Sequence, residues 1–260
     1  MNKLTKSLLL SGLATLPLFS GIARAADPAP PYTLAYKASL YSEYEYRGIS
    51  QTSEKPAGQI NIDYTHSSGF YLGTFVSNIQ WLKDAAKTAG GSTNANIELD
   101  LFGGYRYEMA KDLTLDVGYL RYEYPSSGAF NPKPNTDELY AGVTYAAFNV
   151  KYSHSINDTF GAPNSKNTYF IETNWTQEIA PKLTANAQIA RQVYKGTQES
   201  GFKNSDLSYT VYKLGLTYDL GDGLNAGGYV KDTNARKDLY TIEGKNWGKG
   251  RLVAFVSKSF

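Results

Sequence analysis

Glu43, Glu45 and Arg47 stand two residues apart, as do Glu98 and Asp100, and apolar or aromatic residues fill the positions between them. Lys37, Asp63, Arg106, Lys151, Glu172, Lys213, Lys231 and Arg251 lie in stretches of the same alternating kind, as do Glu108, Asp116 and Glu138. Ionic side chains of both signs gathered on one surface can hold water and guide small ions or dipolar solutes. Other chemistry finds little support. The chain has no cysteine and 2 histidines, so thiolate chemistry is excluded and the two separated histidines indicate no metal site. No cofactor is expected. Gly103-Gly104 is followed by no helix and is not a phosphate loop. His154, flanked by Ser153 and Ser155 and near Asn149, carries the residue types of a lipid hydrolase. Adjacent residues on a strand point to opposite faces, so Ser153 and His154 cannot pair as nucleophile and base. His154 reads instead as an interfacial residue, and His66 as part of a short turn.

The elements that must carry these residues are strands. In Asn96–Glu108 the odd positions are Ile97, Leu99, Leu101, Gly103, Tyr105 and Tyr107, and most of the even ones are polar or charged. That period of two is a strand with one apolar and one charged face. Similar patterns predict twelve strands, over residues 33–47, 57–66, 70–82, 96–108, 113–124, 137–147, 148–155, 167–178, 183–194, 206–219, 224–233 and 248–260. The third is apolar on both faces and its facing is open. The fifth changes phase, with Leu115, Val117 and Tyr119 on one face and Tyr122 and Tyr124 on the other, which predicts a bulge near Gly118. Connections after the even strands are short, while those after the odd strands are long, including 83–95 and 234–247. Alternating short turns and long loops mark an outer-membrane barrel, with both termini on the short-turn side. The fold expected is all-β, a single up-and-down antiparallel transmembrane β-barrel.

Aromatic residues near the strand ends suggest two interfacial girdles: Tyr64, Tyr105, Tyr107, Tyr145, Trp175, Tyr218 and Phe260 at the turn end, and Tyr44, Tyr46, Trp81, Tyr122, Tyr124, Tyr194 and Tyr229 at the loop end. The first 25 residues read as a cleaved signal peptide: Lys3 and Lys6, an apolar run over Ser7–Phe19, and Ala23-Arg24-Ala25 before the cut. Residues 26–260 then form the barrel. Without Lys3, Lys6 and Arg24 the 26 basic and 24 acidic residues fall to a net charge of −1, which gives no footprint for nucleic acid.

Several stretches resemble a proteobacterial family of porin-type proteins, the TorF type. They are Tyr44-Glu45-Tyr46-Arg47-Gly48-Ile49-Ser50-Gln51-Thr52 with Pro56, Ser68-Gly69-Phe70-Tyr71-Leu72-Gly73-Thr74 with Ser77-Asn78, Gly103-Gly104-Tyr105-Arg106, and Tyr122-Glu123-Tyr124-Pro125. The resemblance implies an outer-membrane barrel with a pore function and no defined substrate. Phe260 also looks like the terminal aromatic that the barrel assembly machinery reads.

With apolar faces toward lipid, the charged residues named above line a lumen. Most of the acids fall in the first half of the chain and most of the bases in the second, so an acidic wall is expected to face a basic one. The alternative is that these charges pair and plug the lumen. The function expected is passive diffusion of small polar solutes or ions with weak selectivity, by a monomeric or loosely associated barrel in the outer membrane of a Gram-negative bacterium. A closed structural barrel whose loops bind a partner is the second class, and an outer-membrane lipid hydrolase the third.

Overall fold

A computed structural model describes residues 30–128 and 130–260; the signal-peptide expectation lies outside these residues. The barrel strands are β1 (Tyr32–Tyr41), β2 (Ala57–His66), β3 (Phe70–Asn78), β4 (Ile97–Ala110), β5 (Leu113–Glu123), β6 (Thr136–Tyr145), β7 (Phe148–Ser155), β8 (Tyr169–Ala180), β9 (Leu183–Val193), β10 (Tyr209–Gly221), β11 (Leu224–Thr233) and β12 (Arg251–Ser259). Each pairs antiparallel with its sequence neighbours, and β12 pairs with β1, from Lys37 opposite Ser259 to Tyr41 opposite Phe255. The closed twelve-stranded barrel expected from the sequence is therefore the observed fold. Closure leaves no barrel strand edge with unpaired backbone groups.

The side-chain period of two sorts the residues onto two surfaces. Outside lies a nearly continuous apolar band, with Leu72 65% exposed and Leu252 73% exposed. Inside lie Ser39, Asn61, Ser77, Glu98, Asp100, Glu138, Lys151, Glu172 and Asn174, all buried. β3 is settled by this sorting: Tyr71, Phe75 and Ser77 are buried inside, and Phe70 and Leu72 are exposed outside. The turns are tight. At Asp222–Gly223 both residues have positive φ, 51° and 76°, the combination whose twist matches two antiparallel strands.

Several boundaries differ from the sequence reading. β1 ends at Tyr41 rather than running to Arg47. Residues 42–56 leave the wall and fold into the barrel, with Glu45–Tyr46 and Ile49–Ser50 as a miniature hairpin. Arg47 (φ 49°) and Gly48 (φ 81°) form its two-residue turn. The alternation that suggested a longer strand belongs to this hairpin. β3 stops at Asn78, and Trp81–Thr88 forms helix α1, which buries Leu82 and Ala86, four residues apart, on one face. The predicted loop 83–95 therefore starts inside a helix. The loop after β11 holds the short helix α2 (Lys237–Tyr240) and a two-residue strand pair, Thr241–Ile242 with Lys245–Asn246. No bulge occurs near Gly118. The β4–β5 register is unbroken from Leu99 opposite Glu123 to Glu108 opposite Thr114, with its irregularity between Glu108 and Ala110.

Candidate functional site: the inward-folded first loop

Because β5 keeps its phase, Tyr122 and Tyr124 point inward, buried to 1% and 2% exposure. Tyr44 is also buried, and Tyr46, Tyr194 and Trp81 pack against buried clusters. Tyr229, like Lys231, is on the inner face of β11. The loop-end aromatics do not form the expected girdle. They form the interior packing of the barrel's loop-side half, because phenol groups inside a narrow barrel find polar partners there. Tyr119, Tyr152 and Tyr212 are instead exposed on the outer face.

The loop hairpin sits between two interior clusters. Tyr44 joins Phe75, Leu120, Tyr122, Tyr124 and Tyr140. Ile49 joins Phe170, Tyr209, Val211 and Trp247. Polar contacts then tie the hairpin to the surrounding wall. Tyr44 and Tyr124 donate to Glu98 at 2.5 and 2.8 Å. Arg47 donates to both carboxylate oxygens of Glu138, at 2.9 and 2.6 Å, and to Gln192 Oε1 at 3.1 Å. Glu45 accepts from Gly48 N at 2.7 Å and pairs with Lys213. Lys231 Nζ donates to Gly48 O at 2.8 Å and Trp247 O at 3.2 Å. Above the hairpin, Gln51 O accepts from the backbone of Gln80 and Trp81. Glu54 pairs with Arg251, which also faces Glu43 at 3.5 Å.

This geometry corrects the two-walled lumen. Glu43 and Glu45 are not opposite the basic strands; the loop carries them against Arg251 and Lys213. Arg47 crosses to the acidic side and meets Glu138. A loop with both signs neutralises each wall locally, because an unpaired charge in a desolvated interior is costly.

The other predicted residues also project into the barrel. Arg106 lies 3.5 Å from Asp116 and its guanidinium lies 4.0 Å above the Tyr71 ring. Lys151 lies 4.0 Å above the Tyr140 ring. Glu172 accepts from Gln188 and Asn174 at 2.8 and 3.0 Å. Lys37 and Asp63 face inward on β1 and β2, next to Asn61 opposite Lys37. Asp100 is buried below the Tyr44–Glu98 contact, and its Oδ1 has no hydrogen-bond partner among the described residues. Just within the hairpin is a pocket lined by Glu45, Arg47, Lys151, Glu172, Gln188 and Lys213, with Tyr122 and Phe170. It brings together charged and amide side chains from the loop and from β7–β10.

Sequence reasoning did not single out Tyr71 and Tyr140. Their hydroxyls bond each other, and Tyr71 donates to Asp116 at 2.6 Å. Each ring lies over a glycine of the adjacent strand: a Cβ at Gly104 would come 2.6 Å from the Tyr71 hydroxyl, and one at Gly118 would come 2.5 Å from Tyr140 Cζ. Rings flattened in this way leave room in the lumen. The signal in sequence was the inward glycine on two neighbouring strands. Ser153 points inward and His154 outward, where His154 bonds Tyr152 and Asn167 at 3.0 and 3.2 Å.

A closed barrel with an apolar exterior, a polar interior and a first loop folded inside it is a porin-type fold. The chain matches a family described as "Bacterial protein of unknown function (Gcw_chp)" over residues 25–260, and it belongs to that family. No curated protein sequence matches it. Among solved structures it is similar to the NanC porin, with 11% identity and a TM-score of 0.57, covering 88% of this chain and 99% of that one. It is also similar to the KdgM porin, with 12% identity and a TM-score of 0.53, covering 87% and 98%. A second KdgM structure, described as a complex with disordered oligogalacturonate, gives 10% identity and a TM-score of 0.51 over the same shares. At these identities the likeness is one of fold.

Proposed function

We propose that this protein is an outer-membrane diffusion channel that passes small polar solutes and ions with weak selectivity, and that the first loop sets its constriction. One observation carries the reading: a loop bearing Glu43, Glu45 and Arg47 lies across the interior of a barrel whose outer face is apolar and whose inner face is polar. Fold similarity to the NanC and KdgM porins supports it. The pairing of charges inside favours weak selectivity, since paired groups project little net field into the passage. The reading includes a leader over residues 1–25, outer-membrane lipid around the apolar band, recognition of Phe260 by the barrel assembly machinery, and kinship with the TorF-type porins. Lys37, Asp63, Arg106, Lys151 and Glu172 line the passage within the constriction.

The test is conductance of the purified barrel in planar bilayers, before and after the hairpin is replaced by a short Gly-Ser segment. Discrete steps that grow on replacement support the channel. A second reading has its own observation. Arg47–Glu138 and Lys231–Gly48 are buried contacts that reach β6 and β11, on opposite sides of the lumen, as in a closed barrel that works through its outer loops. Silence of the wild-type barrel with steps from the loop replacement would select that reading.

A further inference from the structure

Two arginines face outward near the loop end of the barrel, and their surroundings differ. Arg121 on β5 is neutralised within the protein, by Glu123 at 2.7 Å and Asp137 at 3.0 Å. Arg191 on β9 is exposed, donates to Thr210 Oγ1 at 3.0 Å, and among the described residues has no carboxylate within ion-pair distance.

The row that holds Arg191 places it at a lipid boundary. Tyr152, Ile171, Arg191 and Thr210 are cross-strand neighbours on β7–β10, with His154, Tyr169 and Val193 forming the next row toward the loops. Below Arg191 the outward residues of β9 are Ile189, Ala187, Ala185 and Leu183. Eight residues at about 3.3 Å each, along a strand tilted by roughly 40°, put Arg191 about 20 Å above Leu183. The apolar band of an outer-membrane barrel is about 25 Å tall, so Arg191 falls at its upper edge. Tyr152 packs against Tyr169 with the rings tilted by 34° and centroids 5.4 Å apart, and stacks on His154 at 6.0 Å. The exposed Lys195 extends over the Tyr169 ring at 5.5 Å and is likewise in no ion pair among the described residues. An aromatic pair with two unneutralised cations, at the depth where hydrocarbon gives way to headgroups, calls for an anion supplied by the membrane.

We propose that Arg191 and Lys195, beside the Tyr152–Tyr169 pair, form a binding site for the phosphate of a lipid A-type molecule of the outer leaflet. The site rests on the membrane reading above. The guanidinium takes the phosphate in a forked, charge-assisted contact, Lys195 adds a second charge, and the acyl chains lie along Ile171, Ile189 and Tyr212.

Native mass spectrometry of the detergent-solubilised barrel tests this with three probes: bis-phosphorylated lipid A, lipid A stripped of both phosphates, and inorganic phosphate. Heat-modifiable mobility verifies that each variant is folded. The wild-type barrel retains bis-phosphorylated lipid A, and the double variant Arg191→Gln, Lys195→Gln binds it about tenfold more weakly, the loss expected for charge-assisted contacts. Arg191→Lys keeps the charge but not the fork, and binds more weakly than the wild type and more tightly than the double variant. Arg121→Gln leaves it unchanged, because that cation is already neutralised. Equal binding by the double variant, equal binding of the stripped lipid, or an equal loss in Arg121→Gln would overturn the site. Occupancy by inorganic phosphate alone would overturn its assignment to a lipid. Channel steps in a planar bilayer are measured on the same preparations, so an inactive pore and an absent lipid site give separate results.

Discussion

Arg47 leaves the first loop to form a forked pair with Glu138 on β6, at 2.9 and 2.6 Å, with both side chains almost wholly buried. The arginine's planar end is also packed: its guanidinium lies 4.5 Å over Phe170 and 5.0 Å over Tyr46. Removing one partner leaves an uncompensated buried charge, a change of about 3–5 kcal/mol in related cases. Arg47→Ala and Glu138→Gln should each loosen the hairpin, widen the conducting path and raise conductance. The double variant should be destabilised by much less than the two single effects added together, because neither charge is then stranded. Unfolding midpoints of the folded barrel form measure that coupling.

Gly48 is the second lock on the hairpin. Its φ of 81° suits a residue without Cβ, and a Cβ there would stand 2.6 Å from Thr233 Cγ2. Gly48→Ala should therefore push the turn away from β10 and β11 and break the Lys231 contact to Gly48 O. The expected outcome is larger, noisier current steps with the barrel still heat-modifiable.

Acid should release the outer tether of the loop only at very low pH. Its hydrogen bond to Arg251 lowers the Glu54 pKa from 4.5 to about 2. A carboxylate with a folded-state value below its unfolded one contributes stability that is fully present above about pH 4.5 and is lost as the pH falls toward 2. Current noise from loop motion should thus stay constant from neutral pH to about pH 4 and rise below pH 3. Glu54→Gln should show the raised noise at neutral pH.

Gly118 holds space for the Tyr140 ring. Gly118→Ala should push that ring into the lumen, disturb its contact with Tyr71 and move Lys151 off its face. Overpacking of this kind costs about 1–3 kcal/mol. A lower unfolding midpoint together with a smaller conductance is the expected pair of effects, opposite in sign to the loop variants.

The barrel wall was legible in the sequence because a strand with an apolar outer face and a polar inner face must alternate along its length, as Ile60 and Ile62 do against Asn61 and Asp63. The turns were legible from pairs such as Asp222-Gly223. The inward loop was not, because Glu43–Arg47 alternates just as a strand does; the end of β1 at Tyr41 is set by tertiary packing of Tyr44 and Ile49 on opposite interior clusters. Helix α1 had a signal in the four-residue spacing of Leu82 and Ala86. The facing of Tyr122 and Tyr124 was obscured by their chemistry: tyrosine suits a membrane interface, yet here each is an interior residue, with Tyr124 donating to Glu98. Inward facing of Lys37, Asp63, Arg106 and Glu172 followed from strand phase alone. Their partners did not, since a loop supplies partners that strand phase cannot reveal.

Single-channel recording under a salt gradient tests the central claim most directly, comparing the wild-type barrel with one whose Tyr44–Thr52 hairpin is replaced by a Gly-Ser segment. Small wild-type steps with a reversal potential near zero are expected, and steps several-fold larger after replacement. Steps of equal size in the two proteins, or no steps from either, would contradict a diffusion channel constricted by the first loop.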